Sequence, residues 1–397
     1  MSERRTVKDL LADAKDHSEL MVDLAHAAIF FGDDDIAAEV VRLREDMSRI
    51  VLELQEISIL AARSPEDAEA MAAVLQMAGA MDKIADAAED IARVVLKDLG
   101  VPPELRDDLR HAEEVVTRVR IREENNLEGK TLEEAELPTE TGMWVIAIRR
   151  DISWIFGPGG DTVLHTGDVI FAQGPEEGVD LLRELAGAPR RNLREPSPRT
   201  LTGLDRAVDL LVEMKNASEV AVGLAYSAIL FRDKGLAAEV GAIEDSTDEM
   251  HHELERWVLR SAAEGAEPDS LRGLLHLAFA NERIADAAQE MTRVIEYEDE
   301  PHPIISEALA ETDEIVVEET VNPQSEAEGK SLRELRIRTE VGMEVLAIQR
   351  GGRWIYRPRA SQALLAGDKV IAVGPEDGAN DLALLFGNAP PEEEEKE

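Results

Sequence analysis

Three carboxylates stand four residues apart at Asp82, Asp86 and Asp90, and three more at Glu282, Asp286 and Glu290. On a helix, that spacing sets each trio in one row on one face. Like charges so placed cost about 0.2–0.5 kcal/mol per pair, so a row asks for compensation. A hard divalent cation held by clustered oxygens is one source. Neutralisation of a solvated face by Lys83, Arg93, Arg283 and Arg293, or by salt, is the other. A second set of residues suits anions. Arg149-Arg150 and Gln349-Arg350 close apolar runs containing Ile148 and Ile348, and proline-bearing turns follow at Pro158 and Pro358. A guanidinium at Arg150 or Arg350 can meet a phosphate, or it can pair with one of the chain's many acids. Gly167-Asp168 and Gly367-Asp368 precede apolar runs and read as turns whose Asp accepts from local backbone amides. Trp154 and Trp354 read as core or rim residues. The chain has no Cys, which removes thiolate catalysis, disulfides and Cys-based zinc sites. Its eight His are scattered, and no Gly-rich nucleotide fingerprint or hydrolase constellation occurs. An enzyme is not expected.

The elements that carry these residues occur twice. Shifting the sequence by 200 positions superposes Ile84-Ala85-Asp86-Ala87-Ala88 on Ile284-Ala285-Asp286-Ala287-Ala288, Gly129-Lys130 on Gly329-Lys330, and Gly167-Asp168 on Gly367-Asp368. The unit of folding is therefore the repeat. Its first half is helical. Residues 6–31 place Val7, Leu10, Leu11, Ala14, Met21, Leu24, Ala25 and Ala28 near a 3.6 period, and Gly32-Asp33-Asp34-Asp35 breaks it. A second helix spans 36–62. Ser64-Pro65-Glu66-Asp67 starts a third, with Ser as N-cap, Pro in the first turn and acids at the positive helix end. It runs to about residue 98 and carries the acidic row. Three long antiparallel helices make a bundle.

The second half changes period. Strands are expected near 115–121, 143–148, 154–156 and 169–172, with short helices over 130–137 and 176–186. This is a small α+β module. The whole is an α+β protein. Helical bundles fill 1–100 and 201–300, α+β modules fill 110–187 and 310–387, 188–200 is a Pro/Arg-rich linker, and 388–397 is an acidic tail.

Composition sets the surroundings. The 84 acids against 43 bases leave a net charge of -41, spread over both copies. Such a surface repels nucleic acid polymers and anionic membranes. It suits a salt-rich, haloarchaeal-type cytoplasm, where screening relieves self-repulsion. The charged N-terminus lacks a signal-peptide core, and the longest apolar stretch, near 220–231, is too short to span a bilayer. A cytoplasmic protein without direct membrane insertion is expected.

The third helix, with Met81-Asp82-Lys83-Ile84-Ala85-Asp86 and the closer match Asn281-Glu282-Arg283-Ile284-Ala285-Asp286, resembles the signature of PhoU-type bundles. The resemblance implies metal held by acids such as Asp82/Asp86 and Glu282/Asp286, and regulation of phosphate or other ion transporters. On the second helix, Glu244 and Asp248 keep the partner motif in copy two, while Glu45 to Arg49 departs from it in copy one. The α+β module resembles the TrkA-C domain of RCK regulators. The matching residues are Gly129-Lys130-Thr131-Leu132, Val145 to Arg150, Pro158 and Gly167 to Gly174, with their counterparts 200 residues on. That likeness implies pairing of two TrkA-C modules, within the chain or in a homodimer. It also implies a small ligand such as cyclic di-AMP or another nucleotide. Arg150 and Arg350 would then clamp its phosphates, flanked by Arg149 or Gln349, while Ile148 and Ile348 line the cleft. The function so implied is regulation of a membrane cation channel or transporter, most of all for potassium. The alternatives are PhoU-like control of phosphate uptake and a ligand-free adaptor.

Overall fold

The computed structural model describes residues 5–102, 105, 115–123, 125–151, 153–190, 202–297, 303–309, 312, 314–351, 353–356 and 358–388. Most of the expected linker and all but one residue of the expected tail lie outside this set. Copy one begins with helices α1 (Val7–Phe31), α2 (Asp34–Ala61) and α3 (Pro65–Leu96). Local chemistry sets their ends. Thr6 and Asp9 close a capping box at the start of α1, Asp33 caps α2, and Ser64 caps α3 ahead of Pro65. Gly32 ends α1 in the left-handed region at φ 60°, whereas copy two places Arg232 there at φ 54°, a conformation that costs a side-chain-bearing residue about 1 kcal/mol.

The module follows with β1 (Val115–Arg120), α4 (Leu132–Ala135), α5 (Leu137–Thr141), β2 (Trp144–Arg150), β3 (Ser153–Phe156), β4 (Val169–Gly174) and α6 (Glu176–Leu185). Copy two repeats the order as α7 (Gly203–Phe231), α8 (Lys234–Ala263), α9 (Pro268–Tyr297), α10 (Pro303–Leu309), β5 (Ile315–Thr320) and α11 (Leu332–Leu335). A π-helical turn (Ile337–Val341) replaces α5, and β6 (Glu344–Arg350), β7 (Arg353–Tyr356), β8 (Lys369–Gly374) and α12 (Glu376–Leu385) follow. The single short helix expected over 130–137 is broken at Glu136, which takes φ 45° and divides α4 from α5.

Like packs with like. One compact unit spans Met1–Val116 with Asn192–Thr312, and the other spans Thr117–Arg191 with Asp313–Glu397. In the helical unit α1, α2 and α3 pack together, as do α7, α8 and α9, and α3 lies against α9 across the two copies. Leu10, Met21, Leu24, Met47, Leu54, Met77 and Leu274 are fully buried in it. The second unit holds two four-stranded sheets, ordered β1-β4-β2-β3 and β5-β8-β6-β7. The β2–β4 and β6–β8 ladders are antiparallel, and both shift register at the same place, Val145/Ala147 and Val345/Ala347. In copy two, Leu382 and Phe386 pack with Ile348, Val370 and Ala372 on one sheet face.

The two modules meet inside this unit, α5 against the π turn. The contact is reciprocal. A Cβ on Gly142 (φ 71°) would overlap the Arg338 carbonyl, and one on Gly342 (φ 72°) would press on the Pro138 carbonyl at 2.6 Å. Residue i meeting j while j meets i is the mark of a two-fold pair. Of the two modes of pairing expected, the pair lies within one chain.

Candidate functional site

The acidic rows meet different fates in the two copies. In copy one, Arg44 on α2 reaches across to α3, with Nη1 2.9 Å from Asp82 and Nε 2.6 Å from Asp86. Arg283, from copy two, stands 3.8 Å from Asp86 and 2.5 Å from Asp90. Two guanidinium groups thus interleave with three carboxylates, and a fixed protein cation occupies the place where a metal was expected. Burial still lifts the Asp82 carboxyl above its usual range, against the pull of Arg44. The 200-residue shift aligns copy two's Glu244 and Asp248 with Arg44 and Ser48, so the departure in copy one falls one residue from Glu45 and Arg49.

In copy two the position of Arg44 is taken by Glu244. Glu244 and Asp248 on α8 and Asp286 on α9 bring one oxygen each within 4.8 Å of one another. Burial, then the Asp248 charge, pushes Glu244 up to about 7. Asp286 is raised by burial, and so is Glu282, although His251 at its side pulls it down. His251 Nδ1 contacts Glu282, and Gln289 Nε2 donates to Glu244 Oε2 at 3.0 Å. The last member of the expected row, Glu290, turns to Lys83 of copy one. Three clustered carboxylates whose charges disfavour one another suit a hard cation, which would supply the missing positive charge. The sequence placed Glu282, Asp286 and Glu290 in one row and Glu244 and Asp248 in the partner motif; the geometry brings Glu244, Asp248 and Asp286 together and makes Glu282 a neighbour bound to His251.

This difference gives a direct expectation. Mg²⁺ or Mn²⁺ should raise the thermal midpoint of the wild type at pH 8, by the equivalent of about 2.7 kcal/mol at a hundredfold excess over Kd. Glu244→Gln with Asp286→Asn should remove the rise, while Asp82→Asn should leave it intact. Without metal, the raised Glu244 pKa means the folded state holds the extra proton. Stability is then full below the unfolded value and is lost as pH climbs through about 7. A wild type indifferent to metal would leave the cluster as a solvated face.

The residues expected to clamp phosphate are engaged elsewhere. Arg150 Nε and Nη2 donate to Asp168 at 2.9 and 2.8 Å, and Nη2 also donates to the Val163 carbonyl at 2.7 Å. Arg350 repeats this with Asp368 at 2.8 and 2.6 Å and with the Ala363 carbonyl at 2.7 Å. Both carboxylates are buried and also accept from His165 N–H or Leu365 N–H, as the Gly-Asp turn reading requires. The fork that matches a phosphate is closed on an internal carboxylate, because bidentate pairing satisfies a buried Asp best. Ile148 and Ile348 are fully buried in their module cores, not at a cleft wall. Arg149 lies over the Trp154 ring at 5.6 Å, and Pro158 and Pro358 are half-buried. A cavity of about 390 Å³ in copy two is lined by Glu326, Lys330, Glu334, Glu340 and Asp381 with Leu335, Val341, Leu384 and Leu385. Four acids to one lysine make it a poor phosphate site, and none of the expected ligand residues lines it.

One polar group escaped the sequence reading. Buried Lys15 on α1 and Lys215 on α7 hold Glu19 and Glu219 at 2.7 and 2.6 Å. Lys15 Nζ lies 5.3 Å from the Tyr226 ring centre, and His26 Nδ1 lies 3.5 Å from Glu219. His26 and Tyr226 occupy the same position in the repeat. The signal was present: a lysine and a glutamate four residues apart on the first helix, kept at the same shift in both copies.

Against known proteins, the sequence matches the TrkA-C domain over residues 116–187 and 316–387, and the PhoU domain over 11–95 and 211–295. No curated protein matches the chain. Among solved structures it is similar to PhoU from Pseudomonas aeruginosa, at 14% identity over 73% of this chain and 94% of that one, with a TM-score of 0.41. It is also similar to the RCK_C domain dimer of S. agalactiae BusR in complex with c-di-AMP, at 30% identity over 18% of this chain and 89% of that one, with a TM-score of 0.18. The GsuK RCK domain shows 15% identity over 72% and 70% of the two chains, with a TM-score of 0.18. Among the described residues no helix is long and apolar enough to cross a membrane. The chain is a tandem repeat of two PhoU domains alternating with two TrkA-C domains.

Proposed function

We propose that this chain is a cytoplasmic regulator of a membrane cation transporter or channel, most of all one for potassium. The supporting observation is the pairing of domains in cis: TrkA-C with TrkA-C in one unit, PhoU with PhoU in the other. A paired sensory module and a paired helical body in one polypeptide suit a two-state element that a ligand can bias. Neither domain type is catalytic, and a regulatory role follows from both. The ligand sensed is a small molecule at the TrkA-C pair, with cyclic di-AMP or another nucleotide as the class to test first. A second reading, metal-dependent control of phosphate uptake, draws support from the Glu244/Asp248/Asp286 cluster.

Uptake measurements separate the two. Cells lacking the chain should take up rubidium, a potassium surrogate, at an altered rate, with phosphate uptake unchanged. Restoring the chain should restore the rate. An altered phosphate rate with unaltered rubidium uptake would assign the second reading.

A further inference from the structure

Helix α2 exposes three large aliphatic side chains on its outer face: Leu52 at 56%, Ile59 at 72% and Leu60 at 77%. Their spacing of seven and eight residues sets them on one stripe. Glu56, also exposed, stands between them on that stripe, and Glu53 beside it is tied to Arg5 at 2.9 Å. The repeat supplies an internal control. Helix α8 carries His252, Leu259 and Arg260 at the corresponding positions, so the bundle folds with two of the three replaced by polar residues. The stripe is therefore not demanded by the core, and in a chain of net charge -41 an exposed aliphatic row asks for an occupant.

We propose that the outer face of α2 docks an amphipathic helix of a partner protein, apolar on one side and bearing Lys or Arg where it meets Glu56. Charge complementarity favours this occupant. The acidic chain repels anionic lipid and a second copy of itself, and it attracts a cationic segment. An amphipathic helix offers the i, i+3, i+4, i+7 anchors that such a stripe can seat. The cytosolic segments of membrane proteins are rich in Lys and Arg, which places such a helix within reach. The proposal rests on the transport reading only for where the partner lies.

The test uses the purified full chain and a labelled Leu–Lys peptide patterned as an amphipathic helix. Anisotropy is read in KCl at about 0.15 M, where a contact ion pair survives screening, and the scrambled peptide controls for unspecific charge attraction. The wild type should bind the patterned peptide at least about tenfold more tightly than a peptide of the same composition in scrambled order. Leu52→Ser, Ile59→Ser and Leu60→Ser together should weaken binding about tenfold or more, and Glu56→Lys should weaken it further. Leu259→Ser should change nothing. All five positions are exposed, so unchanged thermal midpoints should accompany these effects. Equal binding by the triple variant, or by the scrambled peptide, overturns the proposal. Sedimentation showing a wild-type dimer that the triple substitution dissociates would assign the stripe to self-association and also overturn it. Peptide binding is independent of rubidium uptake, so failure here leaves the transport reading standing, and failure there leaves the docking face standing.

Discussion

Arg350→Ala is expected to destabilise the copy-two TrkA-C module by about 3 kcal/mol, near the lower end for breaking a buried ion pair. Asp368 is 1% exposed and accepts both arms of the guanidinium as well as the Leu365 amide. Removing Arg350 leaves that carboxylate desolvated with one donor. The guanidinium itself is about a third exposed, at 32%, which holds the cost below the full value for a buried pair. Arg350→Lys should cost less, since it keeps the charge and loses only the fork. Arg350→Met with Asp368→Leu should recover most of the loss, because no charge is then stranded. Urea denaturation of the full chain reads this as an earlier unfolding phase. Arg150 and Asp168 should behave alike in copy one. Equal stability of Arg350→Ala and wild type would free the arginine for a ligand. The result governs how ligand binding must be tested: loss of nucleotide binding in Arg150→Ala or Arg350→Ala would report a collapsed module. Arg149→Ala is the informative variant, since Arg149 rests on the Trp154 ring and not on a buried acid.

The helices were legible because their signals are local. Ser64 caps the third helix as its sequence announced, Thr6 and Asp33 cap the two before it, and the apolar stripe read on α1 is its buried stripe. The acidic rows were legible for the same reason, since a spacing of four is a local fact. What becomes of each row was not, because it depends on the facing helix. Position 44 carries Arg and position 244 Glu, position 48 carries Ser and position 248 Asp, and with Arg283 reaching Asp90 these differences make one row an arginine ladder and the other part of a carboxylate cluster. The bidentate pairs were half legible. Gly-Asp announced the turn, but the ladder that sets Arg150 on β2 opposite the start of β4 is a long-range pairing. Like-with-like packing joins segments about 200 residues apart, and no local pattern specifies it. The buried seam was missed because a lysine inside an apolar stripe looks like its polar edge.

That seam carries the second large effect. His26 is buried, and burial first, then Lys215, depresses its pKa to about 3. Glu219 stands 3.5 Å away, yet Lys215 already holds that carboxylate, so the imidazole faces a neutralised pair and Asn281 rather than an available anion. The folded state therefore keeps His26 neutral, while the unfolded chain protonates it near 6.5. Below that value the unfolded state binds more protons, so the contribution of His26 is present above pH 6.5 and is lost as pH falls toward 3. Between pH 7 and 4.5 the loss comes to about 2.5 kcal/mol. Glu244 works in the opposite sense over much of the same range, since its raised pKa stabilises the fold on acidification. The wild-type pH profile alone would mix the two, and comparison of variants separates them. His26→Phe should flatten the acid limb by about 2.5 kcal/mol relative to wild type in chemical denaturation at pH 7 and 4.5. Glu244→Gln should steepen the wild-type limb and leave the His26 difference unchanged, because Lys215 and Asn281 act on His26 while Asp248, Asp286 and Asp245 act on Glu244, and sites without shared partners add. Parallel pH profiles for wild type and His26→Phe would mean that the imidazole takes up its proton in the folded state, with Glu219 released from Lys215 to receive it.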